Sequence, residues 1–399
     1  MNYHKQSVTD IEVTGKRVLC RRDFNVPMQD GRITSEKRIL AAMPTIRYLV
    51  EHGAKLILCS HMGKPKGQWL PALSMRPVAD EISRLLGKPV QMAEDVIGPD
   101  ARAKANALEN GDVMMLENVR YMPGETKNDP ELSRQLASLA DIFVNDAFGT
   151  AHRAHASTAG VADFLPAVCG FLVERELSVM GKALAEPQHP FVAILGGAKI
   201  SDKLGVIQNL LDRVDTMIIG GGMSYTFQAA LGRQVGASLL DSERIDYCAQ
   251  MLQRAKDKGV RLLLPVDVVT TSHFPDPIDG PIDTLVVPAD QIPADRMGMD
   301  IGPKTRQLFA SAVLDAKTVV WNGPMGVFEN PILAKGTIAV AEALAKSDAV
   351  TIVGGGDSAA ACEQLGFADQ VTHISTGGGA SLEFLEDLEL PGIACLMNK

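Results

Sequence analysis

Short apolar runs alternate with stretches of helical spacing along most of this chain. That alternation predicts α/β architecture with largely parallel sheets. In the first half the runs predict strands at Arg17–Cys20, Lys55–Cys59, Pro89–Met92, Val113–Leu116 and Ile142–Val144. In the second half they predict Phe191–Leu195, Thr216–Ile219, Arg261–Pro265, Thr318–Trp321, Val350–Val353 and Val371–Ser375. Between the runs, Met75–Leu86 places Val78, Ile82 and Leu85 on one helical face, with Gly87 as a stop. Glu36–His52 has helical spacing too, with Pro44 expected to kink it or to begin a new segment. Asp202–Leu211, capped by Ser201, and Ser242–Lys258, stopped by Gly259, complete the main helices. Phe274–Asp300 is rich in Pro and Asp and reads as irregular or edge structure.

Phe171–Pro187 divides the pattern. Val173, Leu177, Met180 and Leu184 recur at steps of three and four, and Pro187 ends the helix they define. Before it, the notable loops carry Arg21, Arg38, His61, Arg120 and Arg153; after it they carry Gly196-Gly197 and the triplets Gly220–Gly222, Gly354–Gly356 and Gly377–Gly379. The expected organisation is therefore two domains joined by a helix: 1–170, the linker 171–187, and 188–389. At 399 residues two cores are also the natural division.

Composition narrows the class. The net charge of −9 is uneven: residues 1–170 hold 21 Lys/Arg against 20 Asp/Glu, the remainder 18 against 28. An acidic chain without a basic tract is a poor nucleic-acid binder, so its arginines must act as a local cluster. No apolar run has the length of a membrane span, and Met1–Asp10 lacks the apolar core of a signal peptide. The cytoplasm is the expected compartment. The six cysteines form no CxxC pair, and Cys20 and Cys59 fall in strand-like runs as buried, reduced thiols.

The unusual residues follow strands, and in open α/β sheets ligands bind outside the carboxyl ends of strands. Two such edges facing each other across a hinge would enclose a cleft. Glycine after a strand brings backbone N–H groups close to an anion, so three triplets point to a phosphate or nucleotide site, although tight turns also explain single triplets. Asp357 and Ser358, at a helix start, can cap that helix or hold the magnesium ion of a nucleotide. No Walker A spacing exists. Gly354-x-Gly356-x-x-Ala359 fits the loose dinucleotide fingerprint, yet the next strand leads into Thr376-Gly377 with no acid for a ribose diol. Lys199 and Lys203, four apart, can point at one ligand or form a solvated pair. Arg21, Arg38, Arg120 and Arg153, with His61, His152 and His155, suggest a polyanion pocket, in which at least one of His152 and His155 is a packing residue.

Arg21-Arg22-Asp23-Phe24-Asn25-Val26-Pro27 resembles the RxDxNVP signature of the phosphoglycerate kinase family. The resemblance continues through Ser60–Pro65, Leu116–Arg120, Asp146–His155, Gly196–Lys203, Trp321–Glu329, Gly354–Ser358 and Thr376–Ala380. Lys64 stands where the family usually has Arg, and Ser358 where it usually has Thr. The resemblance implies two open parallel-sheet, Rossmann-like domains facing each other across a hinged cleft, and reversible phosphoryl transfer between 1,3-bisphosphoglycerate plus ADP and 3-phosphoglycerate plus ATP. It implies a glycerate site built from Asp23, Phe24, Asn25, Arg38, His61, Met62, Gly63, Lys64, Arg120 and Arg153. It further implies a nucleotide site built from Lys203, Asn322, Glu329, Gly355, Gly356, Asp357 and Ser358, with Mg²⁺ on Asp357. Arg38, Lys199, Gly356, Gly378 and Gly379 are the expected transition-state contacts. The tail 390–399 is expected to pack back on the first domain, and the protein to act as a monomer away from membrane and nucleic acid. A nicotinamide-dependent oxidoreductase and a two-lobed anion-binding protein are the competing readings.

Overall fold

The structure is a computed structural model that describes residues 3–399. Apart from a two-stranded ribbon, Met28–Gln29 with Arg32–Ile33, the strands of the first half are β1 (Arg17–Arg21), β2 (Lys55–Cys59), β3 (Val90–Met92), β4 (Val113–Met115), β5 (Ile142–Asn145) and β6 (Ala167–Cys169). They form one parallel sheet in the order β3-β4-β2-β1-β5-β6. The second half has β7 (Phe191–Leu195), β8 (Thr216–Ile219), β9 (Arg261–Leu263), β10 (Asp267–Thr271), β11 (Leu285–Pro288), β12 (Met297–Ile301), β13 (Thr318–Asn322), β14 (Val350–Gly354) and β15 (His373–Ile374). Its main sheet is also parallel, in the order β9-β8-β7-β13-β14-β15, which is the doubly wound arrangement. Strands such as β1, β2 and β7 read as continuous apolar runs because both faces of each sheet are covered by helices.

Phe274–Asp300 differs from the expectation. It supplies β11 and most of β12, which flank β10 in a three-stranded antiparallel sheet. Only β10 is uniformly buried, so the short flanking strands lack the long apolar signature that marks the parallel ones. Pro44 does not break its helix, which runs from Lys37 to Glu51. The carbonyl it leaves without a partner belongs to Leu40, whose side chain is half exposed, so water can reach that turn. Nor is Ser201 a cap: a 3-10 turn, Ile200–Lys203, leads into the helix Leu204–Leu210, and the Ser201 hydroxyl donates to Asp202 instead.

The chain divides into two compact units. Residues through Ser178 form the first together with Glu389–Lys399, and Val179–Leu388 form the second. The division falls inside the Phe171–Ala185 helical stretch, where an α-helix to Glu176 passes through a π-helical segment, Leu177–Gly181, into a final turn, Lys182–Ala185. Val173, Leu177, Met180 and Leu184 are all buried. In the first unit, Leu390, Ile393 and Leu396 of the tail enter the core. Lys5 holds the tail's backbone, its ammonium donating to the Leu396 carbonyl at 2.9 Å and to Asn398 Oδ1 at 2.8 Å. All six cysteines are free thiols. Among the described residues no helix is long and apolar enough to cross a membrane.

Candidate active site

In the first unit the candidate residues gather at the carboxyl ends of β1, β2, β4 and β5, where the parallel topology leaves loops free to carry function. Asp23 and Asn25 follow β1. The Arg38 guanidinium, from the helix Lys37–Glu51, donates through Nη1 to Asp23 Oδ1 at 2.8 Å and to the Asn25 carbonyl at 3.1 Å. Asn25 Oδ1 accepts the Gly63 N–H at 2.9 Å, which couples the loop after β1 to the loop after β2. Gly63 has a φ of +57°, a conformation an L side chain rarely adopts. Its carbonyl accepts Arg120 Nη1 at 2.7 Å. Asn118 holds that corner: its amide donates to the Met62 and Leu73 carbonyls, and its oxygen accepts the Arg120 N–H. The resemblance-based site set did not include Asn118, because a buried amide that shapes loops leaves no ligand-like pattern in a sequence.

Lys64, Arg120 and Arg153 line one pocket with Lys66, Lys127 and His155. Arg120 is buried and its Nε has no hydrogen-bond partner. Burial and the neighbouring Arg21 and Arg153 lower the pKa of Arg120. The same cause, burial first and then Arg120, Arg21 and Arg153, brings His155 down to about 4. His61 is held well below its ordinary value by burial and then by Arg21, Arg120, Arg38 and Arg153. Cationic neighbours that disfavour the charged forms of Arg120, His155 and His61 make a place suited to an anion carrying several charges.

Three residues of the first constellation do other work. Arg21 has no exposed surface, so it is not a wall of the pocket. Phe24 is a core residue whose N–H donates to Ser60 Oγ and whose carbonyl accepts the Val26 N–H. Met62 is likewise buried, and its carbonyl takes the Asn118 amide.

In the second unit Gly196–Lys199, Asp202, Lys203, Asn322, Gly323, Gly355–Ser358, Gly378 and Gly379 line a pocket at the ends of β7, β13, β14 and β15. Positive φ values at Gly197 (+95°), Gly355 (+89°) and Gly378 (+52°) turn these loops in ways that only glycine takes without strain. A Cβ at Gly355 would lie 2.9 Å from Asn322 Nδ2. That amide nitrogen is buried and has no partner, while Asn322 Oδ1 accepts the Lys203 ammonium. Burial lowers the Lys203 pKa, and Asp202, Asp357 and Glu386 oppose the shift. Asp357 is exposed in the first turn of the helix Gly356–Gln364. Ser358 lies beneath the loop, fully buried, its Oγ accepting the Gly323 N–H at 2.5 Å. The triplet Gly220–Gly222 does not line this pocket: Gly220 and Gly221 pack against Met325, Gly197 and Pro324. Glu329 is exposed and is not among the lining residues.

A pocket of arginines and lysines on one parallel sheet and a glycine cradle with two lysines and two carboxylates on another define a phosphate-handling enzyme of the two-unit α/β class. The chain belongs to the phosphoglycerate kinase family, whose model matches residues 8–387. It is 59% identical over 399 residues to a phosphoglycerate kinase of Clostridium botulinum (strain Alaska E43 / Type E3), covering 99% of this chain and 100% of the relative. It is 59% identical over 402 residues to that of Clostridium novyi (strain NT), with both chains covered completely. Among solved structures, the phosphoglycerate kinase of Coxiella burnetii superposes with a TM-score of 0.91 at 42% identity over 98% of each chain. The enzyme of Pyrococcus horikoshii OT3 gives 0.79 at 34% identity, again over 98% of each. Nothing in these likenesses or in the geometry favours an oxidoreductase or a binding protein.

Proposed function

We propose that this chain transfers a phosphoryl group between 1,3-bisphosphoglycerate and ADP, giving 3-phosphoglycerate and ATP, the glycolytic reaction of its family. The observation that carries this reading is the separation of two chemistries onto two similar sheets: mutually repelling cations at one, a glycine-turned cradle at the other. On this reading Asp23, Asn25, Arg38, His61, Lys64, Arg120 and Arg153 hold the glycerate. Lys203, Asn322 and the Gly355–Ser358 turn hold the nucleotide, and one chain acting as a monomer in the cytoplasm suffices for both substrates.

Phosphoryl transfer spreads negative charge over three equatorial oxygens, so catalysis is mostly positioning and charge stabilisation. Arg38 and Lys199 are both exposed and can follow that charge, and the backbone N–H groups of Gly356, Gly378 and Gly379 are placed by turns a Cβ would disturb. A substrate carboxylate attacks or leaves directly, so no side chain serves as nucleophile or general base. Because the phosphoryl group passes between the two substrates without a carrier, the two sites must meet and exclude water before transfer.

The residues present fit a magnesium ion that arrives on the nucleotide. Asp357 offers a hard carboxylate in the pocket, and among the described residues no cluster of three His, Cys, Asp or Glu could hold a cation alone. Held there by Asp357, such an ion would neutralise part of the phosphate charge. A coupled assay supplying 1,3-bisphosphoglycerate and ADP tests the whole reading. ATP formation is expected, and a pure, folded protein that forms none overturns it.

A further inference from the structure

Arg21 sits where the sequence places it beside Asp23 and Asn25, yet its side chain never reaches solvent. Each of its three nitrogens has a partner inside the protein. Nε donates to Ser157 Oγ at 2.8 Å, Nη1 to the Arg22 carbonyl, and Nη2 lies 3.2 Å from His61 Nδ1. Ser157 completes the anchor: its hydroxyl donates to Glu125 Oε1 at 2.5 Å and its N–H to Glu125 Oε2 at 3.0 Å. Glu125 is fully buried, so Arg21 has a carboxylate to balance it across one serine.

A guanidinium has donors and no acceptor, and it keeps its proton throughout the accessible pH range. The hydrogen shared between Arg21 and His61 therefore belongs to the arginine, and Nδ1 must present a lone pair. A neutral imidazole with a lone pair at Nδ1 carries its proton on Nε2. We propose that Arg21 is a positioning residue that locks His61 as the neutral, Nε2-protonated tautomer, so that the ring meets an oxyanion as a hydrogen-bond donor. The opposite tautomer would turn a lone pair toward the anion, and an imidazolium would lose the Arg21 contact.

The surroundings act in the same direction. Arg21 faces the ring from β1, Arg38 from the helix Lys37–Glu51, Arg120 from the turn after β4 and Arg153 from the loop after β5. Each disfavours a second proton, as does burial, with 4% of His61 exposed. The part of the inference that concerns the ligand rests on the glycerate reading above; the tautomer itself does not.

Nitrogen-15 NMR of the imidazole rings in the full chain, with His61 assigned by its loss in His61→Gln, tests the lock between pH 5.5 and 8. An Nε2-protonated pattern without titration is expected. An Nδ1-protonated pattern, or a midpoint near the ordinary value of about 6.5, overturns the proposal. This readout needs neither substrate nor a variant at Arg21, so it stands even if the proposed reaction fails. Arg21→Met should move the His61 midpoint upward and mix the tautomers, whereas Arg21→Lys, which keeps a charged donor, should retain the Nε2 pattern. An unchanged ring in folded Arg21→Met, or a lost pattern in folded Arg21→Lys, counts against the lock. In kinetics, Arg21→Met should raise the glycerate KM about 10-fold and leave the nucleotide KM unchanged. Equal rises in both would mean a general structural role and would sink the proposal.

Discussion

Arg38 is tied to Asp23 and the Asn25 carbonyl, yet about half of its side chain remains exposed. A guanidinium so placed is oriented without being consumed. Arg38→Ala should leave thermal unfolding nearly unchanged and lower turnover by on the order of 10²-fold or more, the usual cost of a lost transition-state charge contact. Near wild-type turnover in the folded variant refutes the role. Lys64 lines the pocket of Arg120 and Arg153 as a compact charge on a flexible stem. If it meets the substrate phosphate, Lys64→Ala should raise the glycerate KM by roughly 1.5–3 kcal/mol of binding, while Lys64→Arg is tolerated. Steady-state kinetics against both substrates decide this, because a solvated lysine moves neither KM selectively. For Asp357 the question is metal against cap. The cap position of its helix is Gly355, with Asp357 in the first turn, so Asp357→Asn should weaken ADP binding in the presence of Mg²⁺ and change it little without. Calorimetric titrations with and without the ion separate the two.

At the scale of elements, the parallel strands were legible because both their faces are buried, which writes them as unbroken apolar runs. All eleven predicted strands overlap observed ones closely enough to place the loops that follow, and with them Asp23, His61, Arg120, Lys203 and Asp357. Less legible were features whose cause lies across the fold. The antiparallel β10–β12 sheet has partly exposed flanking strands and therefore a weak pattern. The burial of Arg21 depends on Ser157 and Glu125, far away in sequence. Gly220–Gly222 looks like the other triplets until the packing of Met325 explains it. Asp300 on β12 is another such case. It accepts the Gly336 N–H at 2.7 Å and lies 3.2 Å from Arg306, while its Oδ1 has no partner. Burial pushes its carboxyl up to about 7, against the pull of Gly336 and Arg306. As pH rises from about 4 to 7 the unfolded chain gives up this proton first, so stability from this group is complete below pH 4 and is lost as pH rises through 7. Relative to Asp300→Asn, which cannot titrate there, the wild type should lose melting temperature between pH 5 and pH 8. A constant difference between the two curves argues against it.

At the scale of the whole molecule, the first unit is built from two separated pieces of chain. Leu390, Ile393 and Leu396 are almost entirely buried in it, and burial of three such side chains is worth roughly 5 kcal/mol or more. Deleting residues 389–399 should therefore destabilise the first unit by about that amount and leave the second nearly untouched. Hydrogen exchange read separately in the β1–β6 and β7–β15 sheets measures the difference, and equal losses would contradict it. The Lys5 and Asn145 side chains, which donate to the Leu396 and Gly392 carbonyls, should lose their ordered partners in that variant.

That divided construction also sets an order of events at the ribosome. Residues 179–388 are continuous, so the second unit has all of its sequence as soon as Leu388 has emerged. The first unit begins synthesis earlier but lacks three core side chains until residues 389–399 follow. The half made first is thus the half completed last. Until then the nascent chain presents an open apolar seam beside β6, where Met397 will take the Ala167 carbonyl. Closure of that seam must wait for residues 389–399, so chaperones that shield apolar surface are needed longest at the unit whose synthesis began first.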